Sequence, residues 1–451
     1  MGVGAFLEPL VVIVLLFGGT WINRELDLPG SVSRKGSWHD RGSRSASGDK
    51  DDIDIDDDGL LGPEDGRPLS PSLLSTQQDP WRKREVGFWR WRWDVVSPNT
   101  VVFRDRLLSR LLRKFPFLAE CWYWALVYWI YQLGRAFTAV TLKDDTVDVA
   151  REHALQLIKL EEKLHIFWEL PLQRYFLQHP VLLLWTNRLY SFIHIPGTIA
   201  FLVWLYYYTT IRRPLVVDQA KDTCESNTPA GPALYEARRR TMAVCNLIAF
   251  VVFTLWPCMP PRLLSDESVE GYIGDISRSY GFVDTVHNVP GASSVWTANK
   301  FCNQYAAMPS LHFGYSLMIG LTVMTIPLAP RPQKLLTLPF FNHARENERS
   351  CLTLPCRRRV ACVILGVSYP LMILIAIVAT ANHFILDAAA GAVVCGLGWW
   401  GNSVLLNLVP LEDYFLRLVR IHKPERVELE TYKPGYSLTD TEALPRRAFG
   451  S

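Results

Sequence analysis

The sequence predicts an all-α fold, a polytopic bundle of six core transmembrane helices plus an N-terminal membrane anchor helix. Of its 451 residues, 49% are hydrophobic and 20% are charged, yet the mean hydropathy is only +0.08. Apolar runs near bilayer length recur between residues 117 and 409, whereas residues 23–100 are rich in Ser, Gly, Pro, Asp and Arg. The chain therefore joins a membrane region to a polar region, which excludes an ordinary soluble enzyme.

Residues 1–22 are predicted to form the membrane anchor. An apolar run from residue 5 to residue 22 contains Trp21 near its end, has no Lys or Arg before it, and is followed by Arg24. A cleaved signal peptide, the alternative, ordinarily has a basic start and a small-residue cleavage site. The flanking charges favour an anchor whose amino terminus lies outside the cytosol.

Residues 23–100 are predicted to be a disordered cytosolic region. No apolar period is sustained there, and breakers such as Gly62-Pro63 recur. The Trp- and Arg-rich segment 89–93 favours a membrane-surface anchor over a site for single-stranded nucleic acid, because a spanning segment follows it.

Residues 101–410 are predicted to form the transmembrane domain, and residues 411–451 a cytosolic tail. The charged, amphipathic stretch 148–178 is expected to lie along the membrane interface as a helix. The predicted spans are 117–140, 186–208, 241–259, 309–329, 360–381 and 384–409.

The loop charges predict one orientation for these spans. Lys and Arg concentrate before the spans that begin at residues 117, 241 and 360, and such loops are retained in the cytosol. These three loops alternate correctly along the chain. The opposite side, lumenal or external, therefore receives residues 141–185, residues 260–308 and the neighbourhood of residue 382.

Two sequence strings place ionisable groups beside apolar spans, where such side chains are rare and usually functional. They are AAMPSLHFG, residues 306–314, and TANHFILDAAAG, residues 380–391. In the predicted topology His312 and His383 reach the same membrane face. We therefore expect both imidazoles to line one pocket.

The spacing within these strings predicts phosphate chemistry. The HxxxD pair, His383 and Asp387, falls on one helical face, so the carboxylate can hold one imidazole N–H and leave the other nitrogen as a nucleophile. Pro309 suits the first helical position, and the free N–H groups after it, with the Ser310 hydroxyl, can hold an anion. A phosphate there would lie beside His312, which allows two-step transfer through phosphohistidine.

Metal and nucleic-acid chemistry receive less support. His and Asp both bind zinc, so a metal site is the alternative for the HxxxD pair, but no third ligand at the usual spacing accompanies it. Lys and Arg number 47 against 44 Asp and Glu, and nine Cys occur without a CxxC pair. We expect no metal, no cofactor and no nucleic-acid partner.

PSLH followed by HxxxD resembles two motifs of the type 2 phosphatidic acid phosphatase (PAP2) superfamily, usually PSGH and SRxxxxxHxxxD. The longer strings are more similar to its inositolphosphotransferase branch, the fungal inositol phosphorylceramide synthase type. The resemblance covers roughly residues 150–410. Less specific matches to this branch occur upstream of the two motifs, at Glu161, Glu169, Gln173, Asn187, Tyr190, His194 and Pro260-Pro261-Arg262.

The resemblance implies a role for each motif residue. His383 corresponds to the nucleophile, Asp387 to the acid that orients it, His312 to the acid that protonates the leaving group, and Ser310 to part of the phosphate loop.

The chain also departs from the superfamily pattern. Ile377 stands where the superfamily has a phosphate-clamping Arg, and no KxxxxxxRP motif occurs. A transferring phosphoryl group still needs positive charge or N–H donors. Arg262 is the predicted replacement, the alternative being an interfacial Arg that extends to lipid headgroups. Asn382 is a further candidate donor.

The resemblance implies a membrane phosphotransferase of the secretory pathway, in the Golgi more than the plasma membrane, with its site on the lumenal side. The implied substrates are phosphatidylinositol as donor and a ceramide-like lipid as acceptor. The alternatives are a lipid phosphate phosphatase that uses the same residues, and a non-catalytic membrane transporter or scaffold.

Overall fold

The chain is mostly helical where the computed structural model describes it. Residues 26–79 of the predicted disordered region, and residues 425–451 of the predicted tail, lie outside the described part. The described residues are 4–25, 80–88, 90–141, 145–212, 230–267, 269, 271–285, 305–328, 335–337, 351–353 and 356–424.

Each predicted span falls on helical structure, and the span at 186–208 crosses a π-helical segment between two α-helices. The helices are α1 (Gly4–Ile22), α2 (Leu107–Lys114), α3 (Phe117–Thr141), α4 (Asp145–Lys163), α5 (Glu169–Leu177), α6 (Pro180–Arg188), α7 (His194–Tyr206), α8 (Pro232–Leu255), α9 (Tyr272–Ser279), α10 (Leu311–Thr325), α11 (Arg357–Ala379), α12 (Ile385–Gly401) and α13 (Val409–Leu418). Shorter helical segments are Thr100–Phe103, Leu189–Ile193, Tyr207–Ile211, Pro261–Ser265 and Asn402–Leu408.

Two helical stretches in the described part are long and apolar enough to cross a membrane. They are Arg357–Ala379 and the continuous stretch Ile385–Leu418; Pro9–Ile22 and Leu311–Thr325 are apolar but shorter. Large apolar side chains such as Leu133 remain exposed on several helices. A contiguous apolar surface of this kind is typical of protein that lipid surrounds.

The mainly helical fold is confirmed, and the all-α prediction did not include two short pairs of strands. Strands β1 (Trp81–Phe88) and β2 (Trp91–Pro98) pair antiparallel, as do β3 (Leu335–Thr337) and β4 (Cys351–Thr353). The disorder prediction for residues 23–100 is therefore wrong for residues 81–98.

The first hairpin is held by polar contacts to the far end of the chain. Asp413 of α13 pairs with Arg82 and Arg84 and accepts a hydrogen bond from Ser97. Alternating cations on β1 meet a carboxylate more than 300 residues away. A search for apolar periodicity overlooks such a strand, because its half-buried side chains, Arg82 and Arg84, are charged.

The predicted interfacial helix at 148–178 is two helices. The chain breaks between α4 and α5, where His165 adopts a positive φ of 58°. Side chains of α4 such as Ile158 pack in one core with Met259, Leu264 and Phe384. This core lies beneath the start of α12 and so fixes both helices against the site.

Candidate active site

The structure brings the two motif histidines together. His312 lies in the first turn of α10, and His383 lies in the turn between α11 and α12. Their ring centroids are 5.6 Å apart, with an angle of 55° between the planes. One phosphate group can contact both rings at this separation.

The turn that carries His383 is fixed by its own backbone. Helix α11 ends at Ala379, and Ala381 adopts a left-handed φ of 53°. The N–H groups of Asn382 and His383 both donate to the Ile377 carbonyl, at 3.0 and 3.2 Å. These bonds satisfy the carbonyl end of α11 and leave His383 only 6% exposed.

Two glycines explain why α10 and α12 approach so closely. A Cβ at Gly391 would collide with the Ser310 carbonyl, and a Cβ at Gly314 would lie 3.0 Å from the Gly391 carbonyl. The Ser310 N–H donates to the Asp387 carbonyl at 2.9 Å, which joins the two motifs directly. The glycine that ends each motif therefore serves helix packing.

The His383 ring is oriented by a backbone carbonyl. Its Nδ1 lies 2.8 Å from the Ala307 oxygen. Because a carbonyl oxygen only accepts, Nδ1 must carry the proton, and the lone pair of the neutral ring is on Nε2. Ala307 is itself held by the N–H bond that it donates to the Cys258 carbonyl, at 3.0 Å.

The predicted contact between Asp387 and His383 is different in the structure. His383 precedes α12 rather than lying on it, and its Nδ1 is 3.6 Å from Asp387 Oδ2, beyond hydrogen-bond length. That oxygen instead accepts the Phe384 N–H at 2.8 Å. The fully buried Asp387 therefore holds the start of α12 and places negative charge near the ring.

The start of α10 also differs from the prediction. Ser310 is the N-cap, with its hydroxyl oxygen 3.4 Å from the Phe313 N–H, and α10 begins at Leu311, so Pro309 lies before the helix. The N–H groups of Leu311 and His312 have no acceptor inside the helix. They remain the groups of this motif that suit an anion.

Arg262 lies beside the turn that carries His383. Its Nε donates to Asn382 Oδ1 at 2.9 Å, and its Nη1 pairs with Asp284 at 3.2 Å. Its backbone N–H donates to the Ala381 carbonyl at 2.9 Å. At 7% exposed, Arg262 is a buried residue, which rules out the alternative of a side chain extended to headgroups.

A layer of aromatic groups lies behind His312. The Tyr190 and His194 rings are 4.6 and 5.2 Å from the His312 ring. His194 makes an interhelical hydrogen bond of 3.0 Å with the Tyr369 hydroxyl, which matches the usual role of a lone membrane histidine. Sequence reasoning missed Tyr369 and Asp284, because neither belongs to a motif.

Two carboxyl groups from α4 and α5 reach the start of α12. Glu161 accepts the Leu386 N–H at 2.8 Å, and Glu169 accepts the Ile385 N–H at 2.7 Å. Burial, followed by the charge of Glu169, raises the pKa of Glu161 to about 9. Burial also raises the pKa of Glu169. Glu161 and Glu169, two of the weaker upstream matches, therefore lie at the start of α12, next to the turn that carries His383.

The metal alternative needs a further ligand beside the HxxxD pair. Within the described ranges, no three or more His, Cys, Asp or Glu side chains group closely enough to hold a metal ion. His383 and Asp387 instead make the contacts given above.

A cavity of about 1040 Å³ lies at the other end of the bundle. Its walls include Leu126 and Phe250 of α3 and α8, and residues 405 and 406, which follow α12. None of the six predicted site residues lines it. The histidine site lies at the beginning of α12, so the cavity is a separate feature.

Comparison with known families gives one match. A model described as PAP2 superfamily matches residues 155–217, 230–341 and 351–401, about half of the chain. The matched segments contain both histidines, Asp387, Arg262 and the Glu161–Glu169 pair. No curated protein and no solved structure matches the chain.

Proposed function

The chain belongs to the PAP2 superfamily, and on that premise we propose that it transfers a phosphoinositol headgroup onto a ceramide-like lipid through a phosphohistidine. Membership fits phosphatase or phosphotransferase activity at a membrane. The choice of phosphoinositol and ceramide rests on the strings AAMPSLHFG and ANHFILDAAAG, which resemble the inositolphosphotransferase branch.

One observation carries the proposal. The Nδ1 bond to Ala307 leaves the lone pair of His383 on Nε2, and the His312 ring lies 5.6 Å away. A nucleophile and a second proton-transfer group on opposite sides of one phosphorus are the requirement for double displacement. A transporter or scaffold gives no reason for this arrangement.

The reaction balances in two steps. His383 Nε2 attacks phosphorus, the bond to the diacylglycerol oxygen breaks, and protonated His312 gives that oxygen its proton. The acceptor hydroxyl then attacks phosphorus and loses its proton to His312, while the P–N bond breaks and returns its electron pair to His383. With a lipid phosphate monoester as donor and water in place of the lipid hydroxyl, the same residues give the phosphatase reaction.

Several groups can stabilise the phosphate charge. The N–H groups of Leu311 and His312 open the α10 amino terminus, which favours anions. Arg262 and Asn382 lie next to the nucleophile, linked at 2.9 Å. Asp284 neutralises part of the Arg262 charge, so we assign Arg262 to positioning Asn382 as well as to binding phosphate.

The site is proposed to face the lumen of the secretory pathway, in the Golgi. The predicted six-span topology with an anchor supports this side, because the cation-rich sequences that precede α3, α8 and α11 are expected to stay in the cytosol. The acidic and Trp-rich amino-terminal region then lies in the cytosol, and residues 89–93 can contact the membrane surface.

The test measures headgroup transfer in lipid vesicles. Wild-type protein with labelled phosphatidylinositol should yield labelled inositol phosphorylceramide only when ceramide is present. His383→Gln should lower the rate at least 1000-fold, since the nucleophile is lost, whereas the matched exposed-histidine variant His179→Gln should retain it. Release of labelled headgroup that ignores ceramide would favour the phosphatase, and activity in His383→Gln would contradict the mechanism.

A further inference from the structure

The amino terminus of α12 is occupied by three carboxyl groups. Asp387 accepts from the Phe384 N–H, Glu169 from the Ile385 N–H and Glu161 from the Leu386 N–H, at 2.8, 2.7 and 2.8 Å. A helix leaves these first N–H groups without internal partners. They are therefore satisfied by side chains here and are closed to a phosphate.

Two of these carboxyl groups come from other helices. Glu161 lies in the last turns of α4 and Glu169 begins α5, and both are fully buried. Through them, two helices far from the motifs in sequence hold Ile385 and Leu386. His383 lies two residues before Ile385, so these bonds also fix the nucleophile.

Burial of three carboxylates together would cost far more free energy than the N–H bonds return. Neither Glu161 nor Glu169 forms an ion pair among the described residues, and the second oxygen of each receives no N–H or O–H donor from elsewhere in that part. A proton on Glu161, donated to Glu169, satisfies both groups and removes one negative charge. The raised pKa of Glu161 is consistent with this.

We propose that Glu161 and Glu169 share one proton and act as positioning residues, which anchor the start of α12 and thereby hold His383 for phosphoryl transfer. This role rests on the proposed function. The pair also favours binding of the phosphate at the α10 amino terminus, because it occupies the Ile385 and Leu386 N–H groups at the start of α12. One fewer negative charge beside the site reduces repulsion of the incoming phosphate.

The groups that face the pair set its response to pH. Asp387 on α12 adds negative charge, and the Cys258 thiol faces Glu161 from the segment after α8. The ionisable neighbours on their own helices, Lys159, Glu162, Lys163 and Arg174, are exposed. Loss of the shared proton at alkaline pH would leave adjacent buried charges that repel, so the turn should shift.

The first experiment compares rates against pH. Wild-type kcat should fall as pH rises above about 9. In Glu161→Gln the amide replaces the protonated carboxyl, so neutral activity should stay within about threefold and the alkaline fall should disappear. Glu161→Ala should lower kcat by about 100-fold with little change in KM, as expected for a misplaced nucleophile. Glu162→Gln, one residue away and exposed, is the matched control and should behave as wild type.

An unchanged alkaline fall in Glu161→Gln, or full activity in Glu161→Ala, would overturn the proposal. Infrared spectroscopy of the purified protein detects the protonated carboxyl group and does not require turnover. The wild type should show a protonated-carboxyl stretch at neutral pH that disappears above about pH 9 and is missing from Glu161→Gln. No such band would refute proton sharing. A band in a protein without transferase activity would refute the proposed function and the positioning role, while the shared proton itself would stand.

Discussion

At the scale of single residues, positive charge reaches the site from a segment that carries no superfamily motif. Ile377, which stands at the usual arginine position, is fully buried, and its carbonyl orders the turn before His383. Arg262 enters from a short helical segment instead and bonds both Asn382 and Asp284. A guanidinium serves this position well, because its fixed fork of donors can hold two partners at once.

Replacement of Arg262 should therefore affect both folding and rate. Arg262→Gln removes one ion-pair partner of the half-buried Asp284, and breaking a largely buried ion pair costs about 3 kcal/mol. We expect a lower thermal midpoint in lipid nanodiscs and a fall in kcat/KM of about 100-fold, typical of a lost phosphate-stabilising group. The double variant Arg262→Gln with Asp284→Asn should recover part of the stability.

The matched control is Arg92→Gln, since Arg92 pairs with Glu85 at the surface. Surface pairs contribute about 1 kcal/mol or less, so this variant should remain close to wild type. Equal losses of thermal midpoint and of kcat/KM in both variants would show that Arg262 does not act at the site.

At the scale of helices, the site depends on a close crossing. Helix α10 supplies Ser310 and His312, α12 supplies Asp387, and Gly391 lets the Ser310 backbone lie against α12. The separation of the two rings is thus set by a backbone contact that only glycine permits.

Gly391→Ala should separate these helices and slow transfer. The added methyl must displace the Ser310 carbonyl, and a shift of about 1 Å between reacting groups can cost about 100-fold in rate. Gly396→Ala lies on the same helix with nothing within 4 Å of the new methyl, so it should keep wild-type activity. The measurement compares the transfer rates of the two purified variants. Equal rates would show that the close approach of α10 and α12 at Gly391 does not affect transfer.

The sequence predicted which residues lie close together better than it predicted their contacts. Motif spacing and the predicted topology were enough to expect His312 and His383 near each other, because periodicity indicates where helices lie and loop charge indicates which way they cross the membrane. The Ala307 contact to His383 could not be predicted, since a backbone carbonyl 76 residues away leaves no side-chain signature. The hairpin at residues 81–98 was missed for a related reason: its partner, Asp413, is near the other end of the chain.

At the scale of the whole molecule, the bundle places different features at its two ends. The histidines, Arg262 and the carboxyl pair gather where α10 and α12 begin. The hairpin, α13 and the cavity of about 1040 Å³ lie at the other end. The candidate catalytic groups therefore lie at one end of the bundle, and the helices bring segments distant in sequence to it.

Mapping of the covalent intermediate tests whether His383 is the nucleophile. Protein mixed with phosphatidylinositol in the absence of acceptor, then quenched at alkaline pH and digested, should carry a phosphoinositol group on the peptide that contains His383. The modification should be acid-labile and should disappear when ceramide is added before the quench. A phosphoinositol group found on Ser310 or His312 instead, or turnover without any modified His383, would show that His383 is not the nucleophile.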